Sequence, residues 1–383
     1  MPEKASWALL ATCTRGLEEV LRQELQLLGH SEAACGRGAV SFSGGAAEVL
    51  RANLWLRTAV RVLRQLAEGQ AGSREELYEL AAGIAWEELV APGQTVRVEG
   101  AGRGEGFRST AFAALTVKDA LVDRLRDRWG LRPDVARSEA DVAVHLHLKA
   151  DRAGLALDGS GEPISHRGYR PRGGPAPLAE SLAAGLLLLA GYDGSQPLLE
   201  PMCGTGTIAI EAALIATRKA PGLARSFACE RWPSHDASVV AELRARAREA
   251  ARVAPARIVA ADADPRAVAA ARRNARAAGV DRVIEFERRD VRELQVPGER
   301  ALIVANPPYG ERLGDADQLA GLYREIGDAF KQRAAGATAW LLVGNPELAK
   351  SIGLRAARRI VLWNGPIECR LLRYDLYAGR RLG

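Results

Sequence analysis

The chain has 383 residues, 48% hydrophobic and 26% charged, with a formal net charge of +6. That length suggests roughly two or three domains, and that apolar content allows packed cores, which argues against a disordered or fibrous chain. The longest apolar run, Leu182 to Gly191, is well short of the ~20 residues that span a bilayer, and Met1-Pro2-Glu3-Lys4 lacks the basic and apolar regions of a secretion signal. A soluble cytoplasmic protein with no membrane partner is therefore expected. Cys13, Cys35, Cys203, Cys229 and Cys369 are scattered singly. With no C-x-x-C and no His/Cys cluster at ligand spacing, no metal site is predicted. The basic excess lies in residues 171–383, with 31 basic and 24 acidic side chains. It is compatible with a nucleic-acid partner, and equally with an Arg-rich composition.

In chain order, residues 1–64 read as a small ferredoxin-like α/β unit. Ser6–Thr12 and Ala39–Ser43 are strand candidates. Gly16–Leu28 and Ala46–Asn53 carry helical spacing. Arg57–Leu66 fits a third strand or a helix. Residues 65–165 continue in α+β style. Helices are predicted over Arg74–Gly83 and Phe107–Trp129, and strands over Thr95–Glu99 and Asp141–Lys149. His145 and His147 fall on the polar face of that last strand and read as exposed. The arginines from Arg124 to Arg137 alternate with acids and read as a solvated face. Leu157–Pro163 is turn-rich. It leads into Ser165-His166-Arg167-Gly168-Tyr169-Arg170-Pro171-Arg172, which has three arginines, a histidine and a tyrosine, and no acid. Guanidinium groups around an aromatic suit phosphate and base contacts. His166, Arg167, Tyr169, Arg170 and Arg172 are accordingly the candidate RNA-binding residues.

From residue 166 the pattern becomes α/β. Pro177–Ala190 reads as a buried helix. Strand candidates are Pro197–Glu200, Ile258–Asp262, Val283–Glu287, Ala301–Ala305, Thr338–Val343, Arg359–Trp363 and Glu368–Tyr377. Asn364-Gly365-Pro366 joins the last two as a tight turn. A seven-stranded, mostly parallel sheet with a terminal antiparallel hairpin follows.

Two loops at strand ends carry the chemistry. Glu200-Pro201-Met202-Cys203-Gly204-Thr205-Gly206-Thr207 joins a strand to a helix, and its glycines let a ligand approach the backbone. Gly204 to Ala209 formally fits the dinucleotide fingerprint G-x-G-x-x-A. That fingerprint wants an acid about 20 residues on, whereas the acid ending the next clear strand is Asp262. Glu200 would also repel a pyrophosphate, while a donor bearing an amino group and a sulfonium would tolerate it. Asp262 can accept from ribose hydroxyls, Asp264 suits a helix cap, and Asp290 can accept from an adenine amino group or serve as a cap. The second loop, Asn306-Pro307-Pro308-Tyr309, follows the apolar run Ala301–Ala305. Pro307 and Pro308 cannot donate to a ladder. The loop thus offers acceptors for a planar –NH2 group, and Tyr309 offers a stacking face. A strand-ending turn would use the same residue types.

Glu200–Ala212, Ala261–Pro265, Arg289–Asp290 and Asn306–Leu313 resemble class I S-adenosylmethionine-dependent methyltransferases. Leu157–Arg170, Ala176–Ala183 and Asn364–Leu372 are similar to THUMP-domain RNA methyltransferases. Within these the resemblance is to bacterial 23S rRNA guanine-N2 enzymes of the RlmL type, with tRNA guanine-N2 enzymes of the TrmN type as neighbours. Relatives usually have Asp where this chain has Glu200. The resemblance implies a C-terminal seven-stranded Rossmann-like methyltransferase fold over residues 166–383, preceded by a ferredoxin-like domain (1–64) and a THUMP RNA-binding domain (65–165). It implies S-adenosylmethionine as cofactor, held by Glu200, Met202, Cys203, Gly204, Thr205, Gly206, Thr207, Asp262, Ala263, Asp290, Val291 and Asn306. Asn306, Pro307, Pro308 and Tyr309 are the expected catalytic residues. The implied partner is RNA, 23S rRNA or alternatively tRNA, with no metal and no obligate protein partner. The implied reaction is methylation of guanine N2. Adenine N6, a glutamine amide, or a non-catalytic RNA-binding role are the alternatives. With no second glycine loop or second Asn-Pro-Pro-Tyr in the sequence, one activity is expected.

Overall fold

In the computed structural model of the chain, residues 6–171, 178–309 and 316–377 are described. They form two compact units. One comprises the chain up to Thr12, Arg22–Ile164 and Ser226–Arg246; the other comprises Cys13–Leu21, Ser165–Arg225 and the chain from Ala247 onward.

The first unit is built on one seven-stranded sheet. Its elements are β1 (Trp7–Cys13), α1 (Glu18–Leu27), β2 (Ala34–Gly36), β3 (Ala39–Gly44), α2 (Ala46–Trp55), β4 (Ala59–Gln70), α3 (Arg74–Ala82), β5 (Val96–Gly104), α4 (Thr110–Trp129), β6 (Val142–Ala150) and β7 (Arg152–Asp158). The strand order is β2-β3-β1-β4-β7-β6-β5. Arg57–Leu66, ambiguous in sequence, is strand, and β4 runs on to Gln70. It therefore crosses the expected division at residue 64, so the ferredoxin-like and THUMP portions share a sheet through one continuous strand. Two strands were not expected. β2 is an exposed three-residue edge. β7 holds Gly154 and two alanines and lacks the β-branched residues that mark a strand. α4 begins later than Phe107 because Ser109 caps it, its hydroxyl accepting from the Phe112 N–H at 3.2 Å. His145 is half-buried rather than exposed: its Nε2 lies 3.1 Å from the buried Asp158 carboxylate.

The second unit follows the expected α/β alternation. Its elements are α5 (Glu180–Leu189), β8 (Leu198–Glu200), α6 (Thr207–Ala216), α7 (Ala237–Glu249, mostly in the first unit), β9 (Ile258–Asp262), α8 (Pro265–Ala277), β10 (Ile284–Arg288), β11 (Leu302–Ala305), α9 (Ala316–Arg333), β12 (Thr338–Val343), α10 (Pro346–Ser351), β13 (Arg358–Asn364) and β14 (Ile367–Asp375). The strand order is β10-β9-β8-β11-β12-β14-β13. The first five strands in that order pair in parallel, and the β13–β14 hairpin is antiparallel. Parallel strands covered on both faces read as continuous apolar runs, and Ala301 to Ala305 are all buried. One face packs Leu198, Leu302 and Val304 against α5 and α6. The other packs Ile303, Leu341 and Val343 against α9 and α10. β8 is flanked by β9 on one side and β11 on the other, so the chain order reverses there. Ligands of open α/β sheets bind at such a switch point, beyond the carboxyl ends of the strands.

Helix α9 approaches α10 closely at Gly327, where an added Cβ would lie 1.8 Å from the carbonyl oxygen of Ile352. Alanine is the better helix former by about 1 kcal/mol, but here overpacking is the larger effect, costing about 1–3 kcal/mol. Gly327→Ala should therefore lower the unfolding free energy in urea. A stabilised variant would show that the helices can part without cost.

Candidate active site

Glu200 and Asn306 end or follow the adjacent strands β8 and β11. The glycine loop between β8 and α6 is held from several sides. The Asp262 carboxylate accepts from the Gly204 N–H at 2.8 Å and from the Asp264 N–H at 2.9 Å. The Ala261 carbonyl accepts from the Cys203 N–H at 2.9 Å, and Asn274 Nδ2 on α8 donates to the Thr205 carbonyl at 2.9 Å. Gly206 needs to be glycine: its φ is +81° and a Cβ would meet Ala271 at 2.8 Å.

Glu200 is buried, and its carboxylate accepts from the Ala209 N–H at 2.8 Å. It satisfies an amide at the start of α6, where the N-cap is Gly206 with no side chain to do so. Burial pushes the Glu200 carboxyl well above the ordinary range; the amides of Ala209 and Ile208 pull it down less, and nearby Asp262 adds to the rise.

The remaining cofactor candidates fall around this loop. Met202, Gly204 and Thr205 are half-buried, and Cys203 and Thr207 are buried. Ala263 is exposed just past β9, and Val291 is buried in a short 3-10 turn. Asp290 caps that turn, accepting from the Arg292 N–H at 2.9 Å, and both its oxygens also take the Arg292 guanidinium at 2.9 Å. An adenine amino group would have to share those oxygens. The set fits S-adenosylmethionine. Asp262 is half-exposed, and each of its oxygens keeps acceptor capacity beyond one backbone N–H. Gly204 has φ +52° and nothing within 4 Å of where a Cβ would stand.

At the second loop, Pro307 is buried, Pro308 exposed, and Asn306 and Tyr309 half-buried. Asn306 Oδ1 is buried with no hydrogen-bond partner among the described residues. Tyr309 is fixed by neighbours that the sequence did not single out. Asn364 Nδ2, in the β13–β14 turn, donates to its hydroxyl at 2.7 Å, and its ring lies where a Cβ on Gly344 would stand, 2.5 Å from Cδ2. Gly344 thus makes room for the ring by having no side chain.

The segment expected to touch RNA is largely internal, which corrects that expectation. Arg167 is buried against the buried Glu211 of α6, with Nε and Nη2 each 3.3 Å from a carboxylate oxygen. Burial opposes the guanidinium charge, but Glu211 outweighs it and leaves the Arg167 pKa raised. Tyr169 is buried too, its hydroxyl 3.3 Å from Glu211. Arg170 donates to Glu180 at 2.9 Å and to the Leu178 carbonyl at 3.1 Å, and reaches Thr207 at 3.5 Å. The acids that bind these arginines are 10 and 44 residues away in sequence, so local composition could not reveal them. His166 is exposed; Arg172 lies outside the described residues. Asn274 was missed as well, although an Asn in a helix interior is a weak hint of a specific hydrogen bond.

A seven-stranded sheet with this order, a glycine loop at its switch point and an acid ending the next strand define a class I S-adenosylmethionine-dependent methyltransferase fold. Family profiles match the RlmL ferredoxin-like domain over residues 8–63, the THUMP domain over 71–158 and the RMKL-like methyltransferase domain over 167–373. The chain belongs to the RMKL-like methyltransferase family. It is 42% identical to ribosomal RNA large subunit methyltransferase K/L of Syntrophotalea carbinolica, covering 97% of this chain and 54% of that protein. It is 36% identical to a Synechocystis protein with a provisional RNA-methyltransferase name, covering 96% of each. Among solved structures it is similar to SMU.472, provisionally named a methyltransferase and solved with SAH, at TM-score 0.89 and 29% identity over all of both chains. The chain spans about half the length of the first curated relatives it matches.

The buried Glu200 carboxyl gives a pH test. Its pKa is raised on folding from an ordinary 4.5, so the folded state keeps a proton that the unfolded state sheds. Stability should therefore fall as pH rises above about 4.5, until the folded carboxyl itself ionises. Glu200→Gln should flatten this decline, read by thermal unfolding across pH. A wild-type curve as flat as the variant's would remove the assignment.

Proposed function

We propose that the chain transfers a methyl group from S-adenosylmethionine to the exocyclic N2 of a guanine in RNA, with 23S rRNA as substrate and tRNA as the alternative. The observation that carries this reading is the buried Oδ1 of Asn306, which has no hydrogen-bond partner among the described residues, at the rim shared with the glycine loop. A buried acceptor without a partner costs about 1–3 kcal/mol, and a ligand's amino group would relieve it. The THUMP match and the names of the relatives favour RNA as the molecule that carries the base.

The target base is extruded into the corner. Asn306 Oδ1 and the Pro307 carbonyl accept the two N2 hydrogens, and Tyr309 stacks on the ring. Holding both hydrogens turns the nitrogen lone pair towards the donor side. The bound cofactor supplies an electrophilic methyl group: the N–C bond forms, the C–S pair returns to sulfur, and one N2 proton leaves to solvent. Glu200, the Met202–Thr207 loop, Asp262, Ala263, Asp290 and Val291 hold the donor. Positioning and desolvation account for the rate, so no dedicated base is needed. Among the described residues expected to bind RNA, His166 is exposed.

Mass spectrometry of rRNA and tRNA from a deletion strain should show loss of N2-methylguanosine, restored by the wild-type gene. Unchanged N2-methylguanosine in both RNAs would overturn the proposal, and a lost N6-methyladenosine or methylglutamine would redirect it. In vitro, Asn306→Ala should lower turnover about 100-fold or more, since misplacement of about 1 Å costs that much. Asn364→Ala removes only a hydrogen bond to Tyr309, worth about 1 kcal/mol. It should slow turnover about fivefold and leave SAH affinity unchanged by calorimetry.

A further inference from the structure

We propose that the cavity between α10 and the β13–β14 hairpin seats a nucleotide of the RNA strand next to the target base, with Lys350, Arg359 and Arg370 holding its phosphate. This rests on the RNA reading above. The cavity has a volume of about 360 Å³, within the range of small-molecule sites. Its lining includes those three cations and no carboxylate. Its floor is apolar, with Val343 and Leu372 buried beneath it. That combination suits a nucleotide: a sugar or base lies on the floor while the charged groups meet the phosphate.

The three cations are differently engaged. Lys350 Nζ lies 2.8 Å from Glu347, and Arg370 is 3.7 Å from Glu368. Both pairs are exposed, and such pairs are worth about 0–1 kcal/mol, so either cation can be recruited. Arg359 is exposed and has no hydrogen bond or ion pair among the described residues.

The cavity adjoins the Asn306–Tyr309 corner through the sheet itself. Val343 lines it, and the next residue, Gly344, lies against the Tyr309 ring. Arg370 is the register partner of Val343. Asn364, at the end of β13 in the same hairpin, donates to the Tyr309 hydroxyl at 2.7 Å. A strand whose base is turned into the corner therefore has a basic recess, with no carboxylate in its lining, one residue along the sheet.

The test uses the full chain and a fluorescein-labelled single-stranded RNA, with affinity measured by anisotropy across salt concentrations. Arg359→Gln with Arg370→Gln should weaken binding at least tenfold. It should also reduce the salt slope by about 0.7, the amount that losing one phosphate contact removes on a single strand. SAH affinity should not change. Lys350→Gln, on an exposed position of α10, should lower the slope by part of that amount and stands in if the double variant does not fold. Arg246→Gln and Arg276→Gln, elsewhere on the surface, should leave the slope as it is. Wild-type affinity and slope in the double variant, or in Lys350→Gln if that is the one that folds, would overturn the placement while leaving the RNA reading intact. A wild-type chain that binds no RNA would overturn the RNA reading itself.

Discussion

The hydrogen bond from the Ala209 amide to the Glu200 carboxylate is the contact on which the donor site depends. Helix α6 is buried over its whole length, so water cannot satisfy the amides of its first turn. A glycine at the N-cap offers no side chain to do it. The carboxyl group at the end of β8 does so, and its raised pKa spares the fold the cost of burying a full charge there. One interaction therefore ties strand end to helix start and fixes both ends of the Pro201–Gly206 loop. A glutamate, one methylene longer than aspartate, still makes this bond at normal length.

The two loops meet because of strand order, not sequence proximity. β8 and β11 are about a hundred residues apart and pair directly. Their carboxyl ends thus deliver Glu200 and Asn306 to one rim. The loops differ in how they are held. Around the glycine loop, Asp262, Ala261 and Asn274 satisfy the backbone groups of Gly204, Cys203 and Thr205. At the second loop the Asn306 side-chain oxygen has no donor among the described residues. A buried acceptor without a donor calls for an explanation, and a ligand's N–H would supply one.

How much of this the sequence could show follows from the range of the forces involved. The strands of the second sheet were legible because burial on both faces demands long apolar runs such as Ala301–Ala305. The Asn306-Pro307-Pro308-Tyr309 corner was legible because prolines end a strand visibly. β7 was not, since Gly154 and its alanines form a strand only because β4 and β6 flank it. The Arg167–Arg170 segment was misread for a related reason. Its partners Glu211 and Glu180 lie on helices elsewhere in the chain, and without them the arginines look available. Gly344 carries no signal of its own and Asn364 reads only as a turn residue, because their contact with Tyr309 is set by the fold.

Net charge is a poor guide to where an anionic partner would bind on this chain. Many of its guanidinium groups are already matched within the fold. Arg124 grips Glu87 with two bonds of 2.9 Å, and the guanidinium holds that carboxyl down at about 2. Arg257 grips Glu285 in the same way, and Arg167 is buried against Glu211. Such groups contribute to the count of basic residues but little to the field a ligand meets outside the protein. What attracts a phosphate is a cation the fold has left without a close acid, in a recess that excludes other acids. Arg359 meets that condition, and the strand that carries it ends at Asn364, which donates to the Tyr309 hydroxyl. The hairpin at the sheet edge thus has a physical reason to be part of the site: its turn steadies the aromatic ring, and its strands present unmatched positive charge beside it.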